Sequence, residues 1–354
     1  MILLKDIERP IIISGPCSAE TEEQVHETAR RLKETGRVHF LRAGIWKPRT
    51  RPNAFEGIGE PGLKWLMDAS IATGIPAMTE VANANHTQLA LKAGFRKLWI
   101  GARTTVNPFT VQEIAESVKG EKDLEILVKN PVNPDLNLWI GGIERFMQMG
   151  IENVHAVHRG FSSFKSKKYR NEPMWEIPIA LKGEFPNIKL LCDPSHICGN
   201  RTLLAEVSQK AIDLIYDGLM IESHITPDEA WSDAQQQITP EQLSTLLFDL
   251  ILRKEYSLDA DFKKNLEALR CDINSIDQDL LNLLVKRMQV VQQIGRYKGE
   301  NQITILQPQR WEDIKAAHIA QAREAGLSDA FIEKYLEAIH LESIRLQTRV
   351  MNDK

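Results

Sequence analysis

Over the first 250 residues, short and nearly continuous apolar runs alternate with longer stretches whose apolar residues recur every three or four positions. The runs fall at 11–18, 39–46, 75–81, 97–102, 125–130, 153–160, 189–195 and 218–223. Apolar runs of this length, without polar alternation, read as strands buried on both faces. Helical spacing fills the intervals, as at 20–35, 61–73, 107–119 and 202–216. Thr239-Pro240-Glu241 sets an N-cap before a proline at the first helical position, opening a last helix to about residue 253. Eight strand–helix units in about 250 residues predict an α/β fold, a (β/α)8 TIM barrel closed by right-handed crossovers. The period changes after residue 255. Residues 262–299 carry apolar positions at steps of three and four, and 307–325 and 328–350 read as two more helices. The chain therefore divides into a barrel, 1–255, and an all-helical domain, 262–354. A helix of such length cannot bury its apolar stripe alone, so a homodimer, or a higher homo-oligomer, pairing long helices across a two-fold axis is expected.

Composition narrows the function classes. The 354 residues are 43% hydrophobic and 26% charged, a folded-protein mix. A net charge of −4 speaks against general nucleic-acid binding. No apolar run reaches the roughly 20 residues of a membrane helix, and the N-terminus lacks the basic and small-residue features of a secretion signal. Four cysteines do not make a disulfide framework. A cytoplasmic enzyme is expected, acting on small molecules and not on nucleic acid or membrane.

The polar motifs sit at the C-terminal ends of the expected strands, where barrel active sites are built. Gly15-Pro16-Cys17-Ser18 ends the first, Asp193-Pro194-Ser195-His196 the seventh and Ile221-Glu222-Ser223 the eighth, with Asp233 just beyond. A thiol, an imidazole and two carboxylates on one rim suit a divalent transition metal. Cys192 reads as core, and Cys198 and Cys271 have no ligand pattern. The remaining rim residues are basic: Arg42 inside the second strand, Lys47-Pro48-Arg49-Thr50 after it, Arg103 after the fourth, Lys129 in the fifth and Arg159 after the sixth. Cations in apolar strands are costly without anionic partners. With the acidic rim residues assigned to a metal, the basic ring implies strongly anionic substrates.

These motifs resemble the 3-deoxy-D-arabino-heptulosonate 7-phosphate (DAHP) synthase family over about residues 5–253. The lack of a long N-terminal extension suggests its compact form. The resemblance implies that Cys17, His196, Glu222 and Asp233 bind a divalent metal, Mn2+ first, with Fe2+, Zn2+ or Co2+ as alternatives. It implies that Arg42, Lys47, Arg103, Lys129 and Arg159 hold phosphoenolpyruvate and that Arg49 and Thr50 hold the phosphate of erythrose 4-phosphate. Lys47 is the candidate for proton transfer to the new hydroxyl. The alternatives are the sister synthase that uses arabinose 5-phosphate and a metal-dependent sugar-phosphate aldolase.

In the helical domain, Arg287 and Lys298 lie 11 residues apart, about 20° beyond three full turns, and share a face. Arg270, 17 residues before Arg287, lies about 100° off that face. Leu269-Arg270, Ile276-Asp277, Leu283-Leu284, Arg287, Lys298, Gln307-Pro308-Gln309-Arg310, Ser343 and Gln347 resemble the all-helical chorismate mutase family. That resemblance implies a pocket of Arg287, Lys298, Gln307, Arg310, Ser343 and Gln347, with Arg270 from the partner chain, converting chorismate to prephenate. Lys298 is the candidate for charge on the breaking ether oxygen. Gln307 and Trp311 depart from the pattern. The alternative is a weakly active domain serving dimerisation and ligand sensing. The fused domain is also the expected seat of feedback regulation, with prephenate as inhibitor.

Overall fold

The eight apolar runs become eight parallel strands: β1 (Ile11–Gly15), β2 (Phe40–Ala43), β3 (Ala77–Val81), β4 (Lys97–Ile100), β5 (Glu125–Lys129), β6 (Asn153–His158), β7 (Leu190–Cys192) and β8 (Gly218–Glu222). They pair in chain order, and β8 closes on β1 through Ile11↔Gly218 to Gly15↔Glu222. This computed structural model describes residues 3–47, 55–164 and 168–352. The chain divides into two compact units, Met1–Glu255 and Tyr256–Lys354.

The strands stop earlier than their apolar runs because the chain leaves the sheet to build the rim. β7 ends at Cys192, where Asp193 caps a short helix, Pro194–Cys198, by accepting the His196 N–H at 3.1 Å. The last barrel helix, Pro240–Asp249, opens with the expected Thr239 cap but ends before residue 253, as Leu250 turns extended.

Side-chain alternation sorts the barrel interior into layers. Ile13, Phe40, Met78, Trp99, Leu127, Val157, Leu191 and Met220 belong to the apolar core inside the barrel. Their neighbours, such as Ile12, Leu41, Leu98, Ile126, Ala156, Leu190 and Leu219, pack against the helices. Two positions toward the strand C-termini, the same face carries Arg42, Glu80, Lys129, Arg159, Asp193 and Glu222. Two positions the other way come Lys97, Glu125 and His155, closed off by Leu4, whose N–H donates to Glu125 Oε1 at 2.8 Å. One period-2 register thus sets an apolar plug between a charged floor and a charged mouth.

The second unit is three helices: Ala260–Glu300, Pro308–Glu324 and Asp329–Asn352. The long helix packs on the last one, where Gly295 leaves room: a Cβ there would lie 2.6 Å from Val350 and 3.0 Å from Gln347 Cα. Ala322, Ile332 and Leu336 form a small core with Trp311, and the Trp311 ring stacks on His340 at 3.9 Å. Of the 41 residues in the long helix, only Val291 and Gly295 are buried. Leu269, Ile273, Ile276, Leu280 and Leu283 remain 50–61% exposed, so a single chain does not cover its apolar stripe.

Candidate active sites

The first site begins with a glycine. Gly15 has φ +147°, and a Cβ there would lie 2.1 Å from the Arg42 carbonyl oxygen. Without that atom β1 ends against β2 and delivers Cys17 to the mouth. The Cys17 N–H donates to Gln237 Oε1 at 2.9 Å, and its Sγ lies 3.3 Å from Asp233 Oδ2 and 3.0 Å from Lys47 Nζ. Ligand atoms of Cys17, Glu222 and Asp233 all lie within 4.8 Å of one another. His196 flanks this group, with Nε2 3.8 Å from Glu222 Oε1 and Nδ1 3.0 Å from Asp193 Oδ1. An Nδ1–H held by Asp193 leaves the Nε2 lone pair for a metal. Burial pushes the Cys17 thiol up to about 12, and the Glu222 and Asp233 charges push the same way. Glu222 Oε1 is buried and accepts no hydrogen bond. A buried thiol beside two carboxylates, one with a buried oxygen that accepts no hydrogen bond, fits a divalent ion bound between them.

Beside this group Lys47, Glu80, Arg103, Lys129, Arg159, Arg170, His196 and Asp233 line a narrow polar pocket. Arg42 does not line it. Its Nη1 faces Glu222 Oε1 at 3.2 Å, its Nη2 donates to the Cys17 carbonyl at 3.1 Å, and its guanidinium lies 4.8 Å over Trp99. Arg42 therefore backs the Glu222 carboxylate. Lys129 donates to Asp193 at 2.6 Å, and Arg170 to Asp233 at 3.1 Å and Gln236 at 2.7 Å. Asp193 and Glu80 add carboxylates outside the expected ligand set, so the basic ring is partly balanced from within. Among the described residues, Arg103 and Arg159 pair with no carboxylate. Burial lowers Arg159 to about 10, which leaves it charged at neutral pH. Arg49 and Thr50 lie outside the described residues.

Sequence reasoning missed Glu80 and Arg170. Glu80 obeys the rule that singled out the cations, a charge inside an apolar strand. Arg170 lies between β6 and the helix Glu176–Glu184, in a segment with no periodic signal.

In the helical unit, Arg287 Nη1 donates to Ser343 Oγ at 2.9 Å. Gln347 is buried beside Gly295, and its Oε1 accepts no hydrogen bond. Lys298 and Gln307 line one cavity with Ile294 and Tyr297, and Lys298 Nζ donates to the Ile305 carbonyl at 2.6 Å. Arg310 is exposed at the start of the middle helix. Arg270 is not brought to this group: 17 residues of helix separate it from Arg287 by about 25 Å, and it pairs with Glu267 at 3.5 Å.

Residues 4–256 match the model of the DAHP synthetase I family, and residues 269–348 that of chorismate mutase type II. Phospho-2-dehydro-3-deoxyheptonate aldolase of Thermotoga maritima is 31% identical over 240 residues, covering 68% of each chain. A crystal structure of phospho-2-dehydro-3-deoxyheptonate aldolase (DAHP synthase) from Thermotoga maritima superposes with a TM-score of 0.60 at 28% identity, covering 73% of this chain and 70% of that one. The T-protein of Haemophilus influenzae is 34% identical over 82 residues, which cover 23% of this chain and 22% of that protein. Among the described residues, no helix is long and apolar enough to cross a membrane.

Proposed function

The chain belongs to the DAHP synthetase I family and carries a type II chorismate mutase domain behind the barrel, a transferase and an isomerase in one polypeptide, and we propose from this that the barrel is a divalent-metal-dependent synthase joining phosphoenolpyruvate to erythrose 4-phosphate. The observation that carries the reading is that Arg103 and Arg159, neither in ion-pair contact with a carboxylate, line one pocket with Asp233 of the Cys17–Glu222–Asp233 group. The guanidiniums bind the phosphate and carboxylate of phosphoenolpyruvate and offset their repulsion of a second phosphate. Cys17, His196, Glu222 and Asp233 hold the metal; when bound, it supplies Lewis acidity at the aldehyde oxygen. C3 of phosphoenolpyruvate forms the new bond to the aldehyde carbon. Lys47, 3.0 Å from Cys17 Sγ, gives a proton to the aldehyde oxygen as it becomes a hydroxyl. Water adds at C2, and the C2–O bond breaks to release phosphate.

The helical unit rearranges chorismate to prephenate with no covalent step. Arg287, Arg310, Ser343 and Gln347 hold the folded conformer, and Lys298 faces the ether oxygen as charge develops. Arg270 completes the site from a second copy of the chain. Prephenate bound to this unit lowers synthase activity, which makes the mutase the chain's own sensor.

The test follows phosphoenolpyruvate loss with erythrose 4-phosphate or arabinose 5-phosphate, with and without chelator, alongside chorismate loss. Turnover with erythrose 4-phosphate is expected, abolished by chelation and restored by Mn2+, while chorismate loss survives the chelator. Full synthase activity in verified absence of metal, or preference for arabinose 5-phosphate, would overturn the barrel reading.

A further inference from the structure

Two of the cations at the barrel mouth donate to carboxylates, Lys129 to Asp193 and Arg170 to Asp233, and Arg42 faces Glu222 at 3.2 Å. Arg159 is held differently. Its Nη1 donates to the side-chain oxygen of Asn171 at 2.6 Å, and the same carboxamide donates through Nδ2 to the His196 carbonyl at 2.6 Å. The orientation of the amide follows from its partners, since a guanidinium only donates and a carbonyl only accepts.

Asn171 is itself built into place. Phe161 and Glu172 exchange both backbone hydrogen bonds at 2.8 Å, and the Asn171 N–H donates to the Ile197 carbonyl at 3.1 Å. His158 Nε2 meets the Pro173 carbonyl at 2.6 Å, and its Nδ1 meets the Tyr216 hydroxyl at 3.0 Å. Gly160 has φ +78°, and a Cβ there would lie 2.6 Å from the Asn171 carbonyl oxygen, so the segment can approach only because that atom is missing. One neutral side chain thus spans from an anion-binding guanidinium to the turn that carries a ligand imidazole.

We propose that Asn171 is a positioning residue of the synthase site: it fixes the Arg159 guanidinium without neutralising it and ties that cation to the His196 turn. The inference rests on the reading of the barrel as a phosphoenolpyruvate-binding synthase. An amide suits this task where a carboxylate does not. A carboxylate would hold Arg159 equally well, but it would cancel the charge meant for substrate and would repel the His196 carbonyl.

The experiment compares wild type, Asn171→Ala, Asn171→Ser and Asn171→Asp in the full chain. It measures phosphoenolpyruvate binding by calorimetry, Mn2+ binding by equilibrium dialysis, KM and kcat, and thermal melting. Asn171→Ala is expected to weaken phosphoenolpyruvate binding about tenfold, the scale of one charged hydrogen bond, and Asn171→Ser by less. Asn171→Asp, the isostere, is expected to be worse than Ala, with KM for phosphoenolpyruvate raised more than kcat falls and Mn2+ still bound. A residue that merely filled space would rank the isostere above Ala. If Ala loses the barrel melting transition, the Ser and Asp variants carry the same comparison. Wild-type binding in all variants, or Asp binding phosphoenolpyruvate as well as Ala, overturns the proposal. Failure of wild type itself to bind phosphoenolpyruvate overturns the synthase reading and this inference with it, and is distinguished by needing no variant.

Discussion

Arg159 stands buried at the barrel mouth with an amide and a carbonyl as its partners, while its neighbours Lys129 and Arg170 answer to carboxylates. A buried guanidinium with no carboxylate in ion-pair contact is costly unless a ligand supplies one. Substitution Arg159→Ala should therefore raise KM for phosphoenolpyruvate by roughly tenfold to a hundredfold, the loss of one or two charge-assisted hydrogen bonds. Mn2+ binding should persist, because Arg159 touches none of the four ligand side chains. Steady-state kinetics with parallel metal dialysis checks both; an unchanged KM would remove Arg159 from the substrate site.

At the scale of single elements, β5 shows how one strand serves both ends of the barrel. Lys129 enters the mouth, and Glu125, four residues earlier, anchors the floor with Lys97, His155 and the Leu4 N–H. Burial pushes the Glu125 carboxyl up, but hydrogen bonds from His155 and Lys97 outweigh it and hold the group below its ordinary 4.5. A depressed carboxyl stabilises the fold above its unfolded value and loses that contribution as pH falls through the folded one. Barrel stability should accordingly drop as pH falls below about 4.5. Glu125→Gln leaves Lys97 buried without its charge partner and should cost about 3–5 kcal/mol near pH 7, with a smaller deficit at pH 3. Denaturant unfolding followed by tryptophan fluorescence tests this, as six of the seven tryptophans lie before residue 256; a pH-independent deficit would refute it. The long helix makes the complementary point, since its stripe from Leu269 to Leu283 is left to solvent by the single chain. Arg270→Ala and Arg287→Ala should each abolish chorismate turnover. Mixing the two variants under subunit exchange should restore about a quarter of wild-type activity, because half the dimers would be hybrids with one intact site each. No recovery on mixing would show that Arg270 does not act across a dimer.

For the whole molecule, the joining of a synthase and a mutase in one chain is the premise of the feedback proposed above. Prephenate should slow the synthase of the full chain by about fivefold or more, the lower range of allosteric coupling. A 1–258 truncation should be insensitive. Binding is reciprocal, so phosphoenolpyruvate with Mn2+ should weaken prephenate affinity by the factor by which prephenate weakens phosphoenolpyruvate binding. Equal inhibition of both forms would put the inhibitor on the barrel, and equal insensitivity would end the regulatory reading.

The barrel itself was legible in the residues. Eight doubly buried strands are written as eight apolar runs, and one-residue registry then dictates that Phe40, Met78, Leu127 and Met220 face inward and that Arg42, Glu80, Lys129 and Glu222 follow them two steps on. The motifs expected to hold a metal were equally visible as neighbours, because they end strands or follow them closely and strand ends meet at one mouth. Local pattern could not decide which cations remain free, since that depends on contacts between residues far apart in the chain. Arg42 stands in an apolar strand as the expected substrate cations do, and only the closed barrel sets its guanidinium 3.2 Å from Glu222, 180 positions later. Arg170 gave no signal, and tertiary packing carries it to Asp233. In the helical unit the sequence set the length and stripe of the long helix, but separation along a rigid helix keeps Arg270 from Arg287, and no rearrangement of one straight helix can join them. Periodicity determines which way a side chain faces; only the closed fold determines what it meets there, because charge balance in a buried site is a property of all its neighbours at once.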